Sequence, residues 1–345
     1  MSLWRRLFYP DTYYAGPDDP LWTRARALED ELAAQDPFDL PTVVAARELV
    51  ADTTAMMPLI AVAESTGERI SPTPPVLRRP DPSETYRRSM ERTVNGMTRS
   101  GRVWLYTTAT GANGYPLSVE IVDDERVTAR TNTAGRVVET ALDGRPVDPA
   151  SFQLVPMITD YREPLGRSPL DRIGLALEQM AEIHRFGASY YLSAQTPPYA
   201  IKAPNRLTAE QAGQLVEQWT AARMARRPAL LSGGIELETY AQPSAADAML
   251  LDAARYMDAV VARVMQIPPS LLNTESQHSL TYSTVAGEFQ RWLTVGLHPM
   301  FLSRIEAAYT ELLPRGQRAE FDTSPLTRLD MTTLETGQVR VNAND

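Results

Sequence analysis

The chain has 345 residues, 43% of them hydrophobic, with no cysteine and a formal net charge of −9, which is material for two or three structural units around a large core. The missing cysteine excludes disulfides, thiolate metal sites and cysteine nucleophiles. No run of about 18 apolar residues offers a helical membrane span, and MSLWRRLFYPDTYY lacks the apolar region of a signal peptide, so the expectation is a protein that stays in the cytoplasm where it is made.

Eight carboxylates between residues 11 and 40 (Asp11, Asp18, Asp19, Glu29, Asp30, Glu31, Asp36 and Asp39) stand against Arg24 and Arg26 alone, so most of the acidity is one N-terminal segment, read as a solvated face. A chain this acidic is not a tight, static nucleic-acid binder, whose footprint would be basic. Any DNA contact should be loose.

Residues 20–34 and 41–56 read as two helices split by Asp36, Pro37 and Phe38. In the second, Val43, Ala46, Val50, Thr53 and Met57 recur at spacings of three and four, which makes one buried face, and Pro58 ends it. LIAVAE reads as a short strand. The proline-dense PTPPVLRRPDP (72–82) reads as irregular, and a third helix is expected from Glu84 to Gly101. Short β-branched or aromatic runs follow at 103–107, 117–122, 127–130 and 137–140, separated by turn sequences GANGYP, DDE, NTAG and LDG. This half reads as α+β, and nothing in it resembles a phosphate loop, a nucleophile elbow or a zinc motif.

From Ser168 the texture becomes helical. Ser168 at the N-cap, Pro169 at the first helical position and Asp171 two residues on agree as start signals. Leu170, Ile173, Leu177, Met180 and Tyr191 share one side of the predicted helix, and Leu175, Ile183, Phe186 and Tyr190 the other. Such a helix is buried on both sides, either as a core helix or at a subunit interface. PPYAIKAP and PALLSGGIELETY then read as strands flanking a helix started by the capping box Thr208–Gln211, with Ala212, Leu215, Trp219 and Ala222 as its apolar stripe. A unit of about 45 residues is too small to bury much core alone and reads as an inserted minidomain. A long helix over 244–266 follows, with Leu250, Ala254, Met257, Val261 and Val264 as its stripe. Pro268 and Pro269 stop it. Helix is expected again over 284–313, broken or kinked at Pro299, with Leu297, Phe301, Ile305, Ala308 and Leu312 buried.

Few constellations carry chemistry. His184, His278 and His298 lie in three elements with no metal-ligand spacing. Asp123, Asp124 and Glu125 could hold a divalent ion or simply form an acidic turn. Ser232, Gly233 and Gly234 make an anion nest or a strand bend. Arg223, Arg226 and Arg227 complement a helix dipole or dock a protein or DNA phosphates. The stretch from Ile267 to Ser283 has no lysine or arginine and Glu275 as its single formal charge, so it would not grip DNA phosphates.

The ordered set LRRPDPSETY (77–86), GRVWLY (101–106), PLGRSPL (164–170), LTAEQAGQLVEQW (207–219), RPALLSGGIELE (227–238), SAADAMLLDAARYMDAVVARVMQIPPSLLN (244–273), SLTYSTVAGEFQRWL (279–293) and FDTSPLTRLD (321–330) resembles the portal proteins of tailed double-stranded DNA bacteriophages, from about residue 41 to 330. The resemblance implies a predominantly helical α+β portal fold: a wing region from 1–165, a stem helix over 166–194, a clip minidomain over 195–243, a second stem helix over 244–272, a tunnel loop over 273–283, a kinked helix returning to the wing over 284–320 and a tail over 321–345. The tail is short, so the helical crown of many portals is expected to be reduced or absent. Leu170, Ile173, Leu177, Met180, Leu250, Met257, Val261 and Val264 would pack the stem; Trp219, Arg223, Arg226 and Arg227 would form the clip's docking surface. Asn273, Thr274, Glu275, Ser276, Gln277, His278, Ser279, Thr281 and Tyr282 would face DNA. The resemblance further implies a homo-oligomeric ring, a dodecamer, at the capsid vertex of the virion, assembled in the host cytoplasm. Its partners would be the terminase large subunit, a head-tail adaptor, major capsid and scaffold proteins, and DNA passing without sequence preference, with no cofactor, metal, membrane contact or catalytic residue. Two other readings stand beside it: a metal-dependent hydrolase using Asp123, Asp124 or the histidines, and a monomeric helical adaptor that binds a protein partner.

Overall fold

The computed structural model describes residues 36–160, 162–193, 199–202, 208, 210–211, 213–215, 219, 234–239, 250–272 and 282–326. The chain divides into two compact units, a larger one of 36–180 with 254–345 and a smaller one that includes 181–253.

The larger unit begins with a short turn at Pro37–Asp39, capped by Asp36, whose carboxylate accepts from the Phe38 N–H at 2.9 Å. Helix α1 (Pro41–Met56) starts on Pro41, where a missing N–H costs nothing, and buries Val43, Ala46, Val50 and Thr53 as its spacing predicts. Strand β1 (Leu59–Ala63) follows directly. The segment 72–82 is not wholly irregular: Pro75–Arg78 form one helical turn, α2. Its prolines sit at the N-terminal cap and first position, the places a helix tolerates them. Helix α3 (Tyr86–Arg99) begins two residues later than expected, capped by Thr85.

Helices α1 and α3 pack together although several interface residues are polar. Thr54, Thr93 and Thr98 are buried, and each hydroxyl donates to the carbonyl four residues back, at 2.8, 2.8 and 3.0 Å. Burial of these hydroxyls therefore leaves no donor unpaired.

Strands β2 (Arg102–Thr110), β3 (Pro116–Val122) and β7 (Phe152–Pro156) form an antiparallel sheet in the order β3-β2-β7. A second sheet takes β4 (Val127–Thr131), β5 (Val137–Leu142) and β6 (Arg145–Val147) in order. Trp104 is buried with Val122 and Val127 between them, and its ring meets Phe152 edge-on at 5.9 Å. The sequence reading missed β6 and β7. β6 is RPV, three residues with no alternation to detect.

Strand β10 (Gln317–Phe321), also missed, pairs antiparallel with β1. Only Ala319 and Phe321 of QRAEF are buried, too weak a pattern to read alone. Its amides that turn away from β1 are taken by side chains of helix α7 (Ser303–Thr310): Ala319 N–H donates to Thr310 Oγ1 at 3.0 Å and Phe321 N–H to Glu306 Oε1 at 2.9 Å.

Helix α4 (Gly174–Ser193) is entered through a tight turn at Asp171–Ile173. In the smaller unit, β8 (Tyr199–Lys202) pairs antiparallel with β9 (Glu236–Thr239), the two strands expected around the minidomain helix. The Thr208–Gln211 box is formed in both directions: Thr208 N–H donates to Gln211 Oε1 at 3.1 Å, and Gln211 N–H to Thr208 Oγ1 at 3.3 Å. Helix α5 (Leu250–Val264) carries the predicted 244–266 helix but ends two residues short of it, Met265 and Gln266 forming a turn; 244–249 lie outside the described residues.

After 273–281, helix α6 (Tyr282–Trp292) places Tyr282 in a helix and not in the loop expected to include it. Of the break or kink expected at Pro299, a break does not occur, but the α-helical run is interrupted there. Residues Leu293–Leu302 continue as a π-helix that runs into α7. The wider turn shifts bonding from four residues to five, which relieves the clash of the proline ring with the carbonyl four residues back. Leu297, Phe301, Ile305, Ala308 and Leu312 are buried as read.

Candidate functional site

The described residues hold the roots of both long helices, α4 and α5, in the larger unit. Of the predicted stem residues, Leu170, Leu177, Met180 and Val261 are buried, Ile173, Met257 and Val264 are half-buried, and the side chain of Leu250 is outside the description. The opposite side of α4 differs from the expectation within one chain. Leu175 is 78% exposed. On α5, Tyr256 is 61% exposed.

The root of α4 is made by two glycine-bearing stretches far apart in sequence, GRVWLY and PLGRSPL. Gly101 (φ +77°) and Gly166 (φ +95°) have left-handed backbones that bring the two chains within contact distance. A Cβ on Gly101 would lie 2.2 Å from the Ser168 amide nitrogen, and one on Gly166 would lie 2.6 Å from the Gly101 carbonyl oxygen. Met157 N–H donates to that Gly101 carbonyl at 2.7 Å, and Arg102 Nη1 donates to the Gly166 carbonyl at 3.1 Å. Ser168 is buried and caps the turn that leads into α4; the helix itself begins at Gly174, later than the start read at Pro169, because a tight turn at Asp171–Ile173 intervenes. The Ser168 Oγ accepts from the amides of Leu170 and Asp171 at 3.1 and 3.2 Å and donates to the Thr98 carbonyl at the end of α3. One hydroxyl thus caps the turn into the helix and fastens it to the end of α3 behind.

The root of α5 is closed differently. Gln266 is left-handed (φ +55°). Its N–H donates to Arg263 O at 3.2 Å and the Ile267 N–H reaches back to Ala262 O at 2.8 Å, the six-to-one closure that ends many helices. Glycine usually fills this place; a side chain there costs about 1 kcal/mol. Farther along α5, Asp258 accepts a hydrogen bond from Thr42 of α1.

The acidic turn is structural. Asp124 Oδ1 accepts from Arg102 Nε at 2.7 Å and Trp104 Nε1 at 2.9 Å, while Asp123 pairs with Arg92 at 3.2 Å. One oxygen of each carboxylate is thus tied to a cation, and that of Asp124 to an indole as well, the pairing of an acidic turn. No group of three metal-ligating side chains comes together among the described residues. His298 Nε2 lies 3.3 Å from Glu306 Oε2. Burial raises the Glu306 pKa, against the lowering effects of the Phe321 N–H and His298.

This shift gives a pH dependence. A carboxyl whose folded pKa is raised binds its proton more tightly in the folded state, so its contribution is fully present below the ordinary value of about 4.3 and is lost as pH rises through the folded value. Glu306→Gln keeps an oxygen for Phe321 and cannot ionise. Its Tm, relative to the parent, is expected to rise between pH 4 and pH 8; a difference that falls over that range would refute the assignment.

Of the predicted clip residues, Trp219 is half-buried, and Arg223, Arg226 and Arg227 lie outside the described residues. So do Asn273, Thr274, Glu275, Ser276, Gln277, His278, Ser279 and Thr281. The sequence reading missed Gly101 and Gly166 as joints; glycine within two otherwise ordered motifs was the available signal.

No curated protein matches the chain by sequence. Among solved structures it resembles an HK97-family phage portal protein from Corynebacterium diphtheriae, at TM-score 0.57 and 19% identity, over 85% of this chain and 95% of that one. It also resembles a chain in the neck of an empty gene transfer agent (GTA) particle, at TM-score 0.67 and 21% identity over 96% and 91%. A chain in the neck of the native particle, computed with C12 symmetry, aligns at TM-score 0.63 and 20% identity over 95% and 90%. The fold is therefore the mixed α+β portal fold. The phage portal protein family model covers residues 41–344, and the chain belongs to that family of structural, non-enzymatic proteins of the capsid vertex.

Proposed function

We propose that twelve copies form a ring through which double-stranded DNA is driven by terminase during packaging and from which it leaves past a head-tail adaptor. The observation that carries the ring is the two-sided helix α4: Leu177 and Met180 are buried in their own chain while Leu175 stands 78% exposed. A leucine so exposed at the root of a long helix suits burial by a neighbouring copy. The C12 symmetry used for the neck of the related particle supports the number twelve. On this reading α4 and α5 are the stem, the 195–243 minidomain is the clip that meets terminase and adaptor, and 273–281 is the part of the chain that meets moving DNA. The wing, over 1–165 and parts of 284–320, meets capsid and scaffold proteins.

The absence of arginine and lysine from 267–283 supports the DNA-facing role, because each cation held on phosphate adds affinity through released counterions. Purified protein, imaged by negative stain over a range of concentrations, is expected to show closed rings with an axial channel; a compact monomer at every concentration would sink the proposal. Rings carrying Gln277→Lys and Ser279→Lys are expected to assemble normally and package DNA more slowly. Unchanged packaging would remove 273–281 from the DNA path.

A further inference from the structure

The segments flanking 273–281, α5 with the turn Pro269–Leu272 before it and α6 with the π-helix after it, meet at two separate points, both among described residues. At the first, the Ser270 hydroxyl in the turn Pro269–Leu272 donates to Glu288 Oε2 on α6. At the second, the π-helix crosses the end of α5 where only a glycine fits. A Cβ on Gly296 would lie 2.6 Å from the Gln266 carbonyl oxygen and 2.7 Å from Trp292 Cδ1. Trp292 and Leu293 are buried at this crossing, and Phe289 packs on Trp292 with ring centroids 5.7 Å apart. The left-handed conformation of Gln266, unusual for a side-chain-bearing residue, turns the chain at the same crossing.

One contact would leave α6 free to pivot on the end of α5. The two are eight residues apart along α6 and the π-helix, on the order of 12 Å at a helical rise, and two contacts at that separation fix an angle as well as a position. We propose that Ser270, Glu288 and Gly296 are positioning residues that lock α6 to the end of α5, so that the chain leaves for 273 and returns at 282 from one rigid base. The consequence for DNA passage rests on the reading that 273–281 faces DNA; the lock itself does not.

Hydrogen exchange on assembled full-length protein tests the lock. Glu288→Ala is expected to speed exchange of amides in 268–272 and 282–292 by tenfold or more, with amides of α1 and α3 unchanged. Glu288→Gln, which still accepts from Ser270, is expected to restore parental rates. Because the chain has no cysteine, Ser270→Cys with Glu288→Cys, bridged by a short bis-thiol reagent, gives a second route: bridging is expected to restore protection that the unbridged pair lacks. Parental exchange in Glu288→Ala, or faster exchange spread evenly over the larger unit, would overturn the lock. Packaging then separates the two claims. A loosened joint with normal packaging would overturn the role of this base in DNA passage, whereas the lysine variants report on whether 273–281 meets DNA at all.

Discussion

Gly101→Ala is expected to cost more than about 4 kcal/mol, among the largest effects available to a single methyl group. Two costs combine. The left-handed backbone at φ +77° is unfavourable to any L side chain by about 1–2 kcal/mol. The added Cβ would also sit 2.2 Å from Ser168 N and 2.4 Å from the Arg167 carbonyl carbon. These are backbone atoms and have no rotamer by which to retreat, so the root of α4 must separate from the end of α3. Separation takes the Ser168–Thr98 hydrogen bond with it and pulls on the Met157–Gly101 hydrogen bond. Gly67→Ala is the control, since Gly67 has a similar φ of +71° with nothing within 4 Å of a Cβ. It is expected to lose only the conformational part. Denaturant unfolding of both variants checks the difference, and equal losses would show that the close approach contributes nothing.

Trp104→Ala is the second large effect, expected at about 3–5 kcal/mol from lost burial and the cavity it leaves. Trp104 is among the largest fully buried side chains and the point where the two sheets share a core. Its removal also takes the indole donor from Asp124, which keeps only Arg102. Trp104→Phe separates the contributions: much of the ring volume stays and the donor goes, for an expected loss of about 1–3 kcal/mol. In an Asp124→Leu background the same Trp104→Phe change is expected to cost less, because no carboxylate remains to be left short of a donor. Equal costs in both backgrounds would mean that the Trp104–Asp124 bond does not contribute.

Local signals in the chain were readable where chemistry and spacing are confined to a few residues. Ser168 as a cap, Thr208 with Gln211 as a reciprocal box and Val43–Ala46–Val50 as a buried face each involve neighbours within one turn or two, and all three are found. Contacts between distant segments were not readable. The Gly101–Gly166 approach joins residues 65 positions apart, and a glycine alone does not say which backbone it must admit. The helical path through Pro299 shows a related limit: proline rules describe α-helical bonding, and the π-helix changes the bonding. β10 was invisible because its amides are satisfied by β1 and by the α7 side chains Glu306 and Thr310, partners that its own five residues do not name. The order of motifs was legible enough to suggest the family. The single-chain exposure of Leu175 was not, because its spacing fits a buried face equally well.

The capped outer side of β10 limits how copies of this chain can meet. An open strand edge is a template on which an identical strand can add, and addition of that kind continues without a natural end. Thr310 and Glu306 occupy two amides that such an incoming strand would need. Strand addition between copies is thereby blocked along this edge.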